Sequence, residues 1–308
     1  MGAVIIFLKR LTEKIAEEDK LKLSIGGAFI TFIVVLLSGT CGWMIERLYL
    51  FFEVKSHILS TLLFSLILSS AIASRSLNES VSEIINLIGK ENSKVDINNI
   101  RKKLSYIVNR DVENLDTNEI LRASAETASE NSIDGVFAPL FWMLIGTIFW
   151  QLNPLMPGPL AMAWIFKASS TLDSMLGYKE GNLKWLGFTG AKLDDLMTLI
   201  PSRMVLITLP FCCRSKLSIF KTVKHAWRDG IVDSSPNSGI SEAIFAYCAE
   251  VRMGGVNYYK GKRKTKPIIG RSYPKANINS IKRILNLSIR LEFSWLLVIF
   301  LIIKLINQ

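Results

Sequence analysis

Three stretches of this chain carry no charged side chain: 23 residues between Lys22 and Glu46, 19 between Lys55 and Arg75, and 32 between Asp134 and Lys167. About 20 apolar residues, each rising roughly 1.5 Å, cross a hydrocarbon core about 30 Å thick. Backbone polar groups in lipid must be satisfied within the protein, so runs of this length read as spanning helices. The chain is therefore expected to be an integral membrane protein. Composition agrees, since half of the 308 residues are apolar although 20% are charged, and the mean hydropathy is +0.32. Disorder and an ordinary soluble domain are excluded.

The spans are expected at about 25–45, 57–74, 136–151, 159–175 and 291–306, with a partial span over 204–213. Gly26, Gly27, Gly39 and Gly42 in the first would allow close helix contact. The 32-residue run would be about 48 Å long as one helix, more than one crossing and less than two. Asn153-Pro154 with Pro157, Gly158 and Pro159 should break it into a helical hairpin. Polar loops are expected at 75–134, 176–203 and 214–290. The expected fold is an all-α polytopic membrane protein, a single domain over 1–308 with about four to five transmembrane helices and helical cytoplasmic loops. Residues 3–16, AVIIFLKRLTEKIA, read as a surface amphipathic helix, too charged for a cleavable signal.

The net charge of +11 is unevenly placed. Segment 75–134 sums to −3, segment 171–203 is neutral, and segment 214–290, with 16 bases, carries +12. In a membrane chain without a nucleic-acid motif, this excess points away from nucleic acid and toward anionic lipid or phosphorylated ligands. Positive-inside counting puts 75–134 and 171–203 on the cytoplasmic face. The four cysteines lack C-x-x-C spacing and there are only two histidines, His57 and His225. Zinc, haem attachment and dithiol chemistry are disfavoured. No phosphate-binding P-loop, dinucleotide fingerprint, H-E-x-x-H or G-x-S-x-G occurs.

Three polar segments carry chemistry. In residues 113–135, ENLDTNEILRASAETASENSIDG, Asp116 and Glu119 form a capping-box start. At about 100° per residue, Glu126 and Glu130 lie about 20° either side of Glu119, with Arg122 and Asp134 about 60° away. Stacked like charges are unfavourable without a cation, and hard carboxylate oxygens without His or Cys suit Mg²⁺. A solvated acidic face is the plainer reading of the same pattern. Residues 167–203 place Asp173 beyond the third uncharged run and Asp194-Asp195 ahead of Pro201 and Arg203. In residues 233–264, Ser235-Pro236-Asn237-Ser238-Gly239 is a turn opening a helix, and Gly254-Gly255 would let backbone amides approach an anion.

Together, NRDVENLDTNEILRASAETASENSIDGVFAPLFW (109–142), KASSTLDSMLGYK with AKLDDLMTLIPSR, and SPNSG with VRMGGVNYYKG resemble the CobD/CbiB family of cobalamin biosynthesis, the adenosylcobinamide-phosphate synthases. The likeness runs from about residue 100 to 261 in the family's order. It implies a multi-pass protein of the cell (inner or plasma) membrane that uses ATP and Mg²⁺. The reaction it implies joins a propionate carboxylate of adenosylcobyric acid to aminopropanol or its phosphate by an amide bond. Partners would be those substrates, the lipid bilayer and other cobalamin-assembly membrane proteins. By motif position the resemblance implies Glu126, Glu130, Asp134, Asp173, Asp194 and Asp195 as catalytic carboxylates, with Glu126, Asp134 and Asp194 on the metal. Arg122, Lys167 and Arg203 would meet phosphates, and Asn237, Gly254, Gly255 and Asn257 would shape a ligand pocket. The family pattern begins with a further Gly-Asp-Pro and His-Pro segment ahead of the stretch that Ala3 to Ala16 resembles, so the chain is expected to be short at its amino end. A non-catalytic membrane sensor or assembly subunit of the AmpE type, or a corrinoid transport component, remain alternative readings.

Overall fold

The computed structural model describes residues 1–17, 19–53, 57–89, 96–178, 180–213 and 217–306. In chain order the helices are α1 (Gly2–Ala16), α2 (Lys20–Glu53), α3 (His57–Ser69), α4 (Ser74–Ile88), α5 (Ile97–Ser105) and α6 (Thr117–Ser132). A π-helical turn, Ile133–Phe137, leads into α7 (Ala138–Leu152), followed by α8 (Pro159–Leu176), α9 (Leu183–Leu186) and α10 (Phe188–Thr208). After a 3₁₀ turn at Leu209–Cys212 come α11 (Ile219–Gly230), α12 (Pro236–Ala249), strands β1 (Met253–Tyr259) and β2 (Lys262–Ile269), and α13 (Ile278–Ile306). The chain is 77% helical and the sheet is minor, so it is an all-α polytopic membrane protein.

Among the described residues, four helical runs are long and apolar enough to cross a membrane: Lys20–Glu53, Thr117–Leu152, Phe188–Cys212 and Ile278–Leu305, or five if α3 and α4 count together. Large apolar side chains such as Phe29, Phe32, Leu36 and Phe300 stay exposed on them, as lipid-facing residues do. The break expected around Asn153–Pro159 is there, between α7 and α8. Lys167 at its middle and Asp173 near its end lower the hydropathy of α8, which is not among the four runs. Residues 204–212, within the stretch expected as a partial span, are continuous with the helix before them. They close a 25-residue helical run that begins at Phe188, because Pro201 does not stop α10. A proline at 201 cannot donate to the Met197 carbonyl four residues back. The indole Nε1 of Trp142 donates to that oxygen instead, at 3.1 Å.

The chain packs as two compact units, residues 1–72 with 138–200, and 73–137 with 201–308. In the first, Ile5 and Ala16 of α1 are buried with Leu23, Ile30, Val34, Leu172 and Leu186. Gly42 of α2 permits close helix contact, since a Cβ there would lie 2.7 Å from Ala161 Cα. Glu46, one turn on, is fully buried, and its carboxylate accepts from the amides of Gly158, Leu160 and Ala161 at 2.7–3.0 Å. Those are orphan donors of the α8 amino terminus, so α2 caps α8 in trans. In the second unit, Ile84, Ile100, Leu104, Leu115 and Ile120 form a core under α4, α5 and α6.

Candidate functional site

The expected capping box exists. Asp116 Oδ1 accepts from Glu119 N at 2.8 Å, and Glu119 Oε2 accepts from Asp116 N at 3.2 Å. It starts α6, but the helix is not a solvated acidic ridge. Ser124, Ala125, Glu126, Thr127, Ala128 and Ser129 are all buried. Glu126 is 1% exposed and is held by three donors. Arg110 Nη2 donates to Oε2 at 2.5 Å, and Arg122 Nη1 and Gly254 N donate to Oε1 at 3.2 and 2.9 Å. Arg122 also donates to the carbonyls of Gly254 and Val256, and both arginines donate to Asn257 Oδ1. The first and third motif segments therefore converge on one buried network.

A β-hairpin delivers the third segment, and the sequence reading missed it. Lys260 and Gly261 have φ of 51° and 75°, as a two-residue type I′ turn requires. That dipeptide between alternating Val256-Asn257-Tyr258 and Arg263-Lys264-Thr265 was the available signal. Asp111 clamps the turn, accepting from Lys260 N at 2.9 Å and Gly261 N at 2.7 Å. Arg110 and Asp111 thus dock opposite parts of the same hairpin. Gly254 sits at the register irregularity between Met253 and Gly255. Its φ is 84°, and a Cβ would lie 1.9 Å from Pro267 O. Its amide does approach an anion, but the anion is Glu126.

Two further charged residues, Glu242 of α12 and Lys266 of β2, join the cluster without any sequence signal that singled them out. Glu242 is fully buried. Its Oε1 accepts from Lys266 Nζ at 2.5 Å and from Ser238 Oγ at 3.4 Å. Burial pushes the Glu242 carboxyl up to about 8, with Lys266 opposing the shift. Burial works against the Lys266 ammonium, yet Glu242, Glu130 and Glu126 outweigh it and hold it above the usual lysine range. Burial likewise opposes the Arg110 charge and is outweighed by Glu126. Glu130 is half-buried on α6, within electrostatic reach of Glu242 and Lys266.

The remaining expected residues lie on other elements. Asp134 lies half-buried on the π-helical turn. Arg203 donates to Ser202 Oγ and to Asn237 Oδ1 at the start of α12. Lys167 and Asp173 on α8, and Asp194 and Asp195 on α10, belong to the first unit. There Asp195 lies 3.6 Å from Lys192. Among the described residues no group of three or more His, Cys, Asp or Glu side chains could hold a metal ion. Glu126 in particular does not fit a metal ligand here, because cationic or amide donors occupy both of its oxygens.

The chain matches the protein family described as "CobD/Cbib protein" over residues 1–288. It belongs to the CobD/CbiB family. Among its CobD/CbiB relatives, the cobalamin biosynthesis protein CobD of Synechocystis is 36% identical over 308 residues, all of this chain and 85% of the relative. The cobalamin biosynthesis protein CbiB of Salmonella typhi is 33% identical over 294 residues, 93% of this chain and 84% of the relative. CobD of Clostridium acetobutylicum is 35% identical over 273 residues, 88% of this chain and 79% of the relative. No solved structure matches the chain.

Proposed function

We propose that this CobD/CbiB protein works in cobalamin biosynthesis, in the cell's inner or plasma membrane, as an ATP-dependent amide ligase. It would join aminopropanol or its phosphate to a propionate carboxylate of adenosylcobyric acid. The observation that carries the reading is the buried Arg110–Glu126–Arg122–Asn257 network, where two family motif segments far apart in sequence meet. A charged network of this kind suits a reaction that passes through a phosphorylated carboxylate. The substrate carboxylate takes the terminal phosphoryl group of ATP, supplied as its Mg²⁺ complex, and ADP leaves. The amine nitrogen then attacks the acyl carbon, the C–N bond forms, the C–O bond to phosphate breaks, and phosphate leaves as the amine sheds a proton.

No protein nucleophile is needed, which accords with the absence of a Ser-His-Asp motif. What the chain contributes is positive charge fixed in place. Glu126 and Asn257 hold both guanidinium groups rigid before any ligand arrives, and preorganised charge in a site shielded from water is more effective than charge that must reorient. The roles of Asp173, Asp194, Asp195 and Lys167, and of Glu130, Asp134, Arg203 and Asn237, rest on motif position. The test is an assay of membranes carrying the protein with adenosylcobyric acid, ATP, Mg²⁺ and aminopropanol phosphate. The expected outcome is an amide product with release of ADP and phosphate. Absence of the amide from protein shown to be folded would end this reading.

A further inference from the structure

Two buried polar atoms in the charged cluster of the second unit have no protein hydrogen-bond partner among the described residues: Oε2 of Glu242 and Nδ2 of Asn257. Their residues are 0% and 2% exposed. A buried polar atom left unmatched costs about 1–3 kcal/mol, and native proteins keep few of them. These two are opposite in sense, one an acceptor and one a donor. They also belong to one network. Asn257 Oδ1 is bound by Arg110 and Arg122, Arg110 is bound by Glu126, and Glu126 and Glu242 both act on Lys266.

The hairpin register explains how they come to the same interior. Asn257 pairs with Lys264 and Gly255 pairs with Lys266. Residues two apart on a strand share a face, so Asn257 and Lys266 point to the side where Glu126 and Glu242 lie. Between them, Gly255 has no side chain, and a Cβ built there would find only Arg122 Nη1 within 4 Å, at 3.7 Å.

We propose that Glu242 Oε2 and Asn257 Nδ2 are the two recognition poles of a subsite for a small primary amine bearing a hydroxyl or phosphate at its other end. The amine nitrogen donates to Glu242, and the ligand oxygen accepts from Asn257 with the Arg110 and Arg122 charges behind it. An ammonium on the ligand favours the ionised form of Glu242 against the burial that raises its pKa, whereas a carboxylate in its place would not. A metal ion would find no group of three or more His, Cys, Asp or Glu ligands there among the described residues. Glu126 and Glu130 add negative charge that offsets Lys266, so a cationic amine is tolerated there. The choice of aminopropanol phosphate as the ligand rests on the function proposed above, whereas the polarity of the subsite does not.

The test is calorimetric binding to the full chain in lipid nanodiscs, comparing aminopropanol phosphate with isopropyl phosphate, which lacks the amine. The wild type should bind the amine at least about tenfold more tightly, and Glu242→Gln should erase that preference while leaving isopropyl phosphate unchanged. Equal affinities in the wild type, or a preference retained in Glu242→Gln, would overturn the subsite. Should Glu242→Gln fail to fold, the wild type suffices. Dicyclohexylcarbodiimide, which attacks carboxyl groups in apolar surroundings, should label Glu242, and aminopropanol phosphate should protect it where isopropyl phosphate does not. Equal protection by both compounds would count against the proposal. In the ligase assay Glu242→Gln should raise KM for the amine more than it lowers kcat. Amide formation with an unchanged amine KM sinks the subsite alone. Selective amine binding without any amide product sinks the ligase reading alone.

Discussion

Glu46 in the first unit and Glu126 in the second are both carboxylates closed off from solvent, and each accepts from three donors. For Glu46 all three are backbone amides of α8. For Glu126 two are guanidinium groups and one is an amide. A further joint in the first unit is of the same kind, the Trp142 indole donating to the Met197 carbonyl. The second sets charged side chain against charged side chain, as with Arg110 and Glu126 or Lys266 and Glu242. Backbone donors at a helix start have partial charge and cannot be mutated away, so the first unit is held by weaker but sequence-tolerant joints. Paired side-chain charges are stronger, and they are exposed to loss of either partner.

Matched substitutions test this difference most directly. Glu126→Gln keeps the shape but turns one charged acceptor into a donor facing a guanidinium and leaves two arginines short of a counter-charge. A loss of about 3–5 kcal/mol is expected, read by denaturant unfolding of the purified protein. Glu46→Gln removes one neutral amide contact and keeps an acceptor for the others, for a loss of about 1–2 kcal/mol. Equal losses would mean that the nature of the donors does not matter, and the contrast between the units would fail.

The second unit should also show the stronger dependence on pH. Glu242 has a folded value of about 8 against an ordinary 4.5, so the folded state holds more protons than the unfolded state between those values. Stability contributed by this group is complete below about pH 4.5, declines as pH rises, and is gone above about 8. Lys266, raised above the lysine range, contributes stability that is lost only at more alkaline pH. In unfolding curves collected from pH 4.5 to 8, Glu242→Gln should flatten the decline relative to the wild type. A parallel pH dependence in the two proteins would show that Glu242 does not titrate in that window.

What could be read in advance follows the same division. Local rules gave the capping box at Asp116 and Glu119, the break before Pro159, the close contact at Gly42 and the helix opening at Pro236, because each depends on residues within a turn or so. Glu126 and Arg122 were found because they share a helix face. Arg110, Glu242 and Lys266 were not, since a charge becomes part of a site only when the fold places its partner, and those partners lie 16 to 24 residues away or more. The role of Glu46 was hidden for the same reason, its amides being 112 to 115 residues distant. The hairpin escaped notice because Lys262, Arg263 and Lys264 read as a basic polar run rather than as a strand.

The smallest expected effect belongs to the backbone joint at Pro201. Trp142→Phe removes the indole donor and leaves the Met197 carbonyl without it inside an apolar helix, which should cost about 1 kcal/mol. Pro201→Ala restores an N–H at the position that normally bonds that carbonyl, so the same Trp142 substitution should cost less in the Pro201→Ala background. A double-mutant cycle reads the coupling between positions 142 and 201 as the shortfall from additivity. Full additivity would show that the indole does not substitute for the missing helical bond, and that α10 passes Pro201 for some other reason.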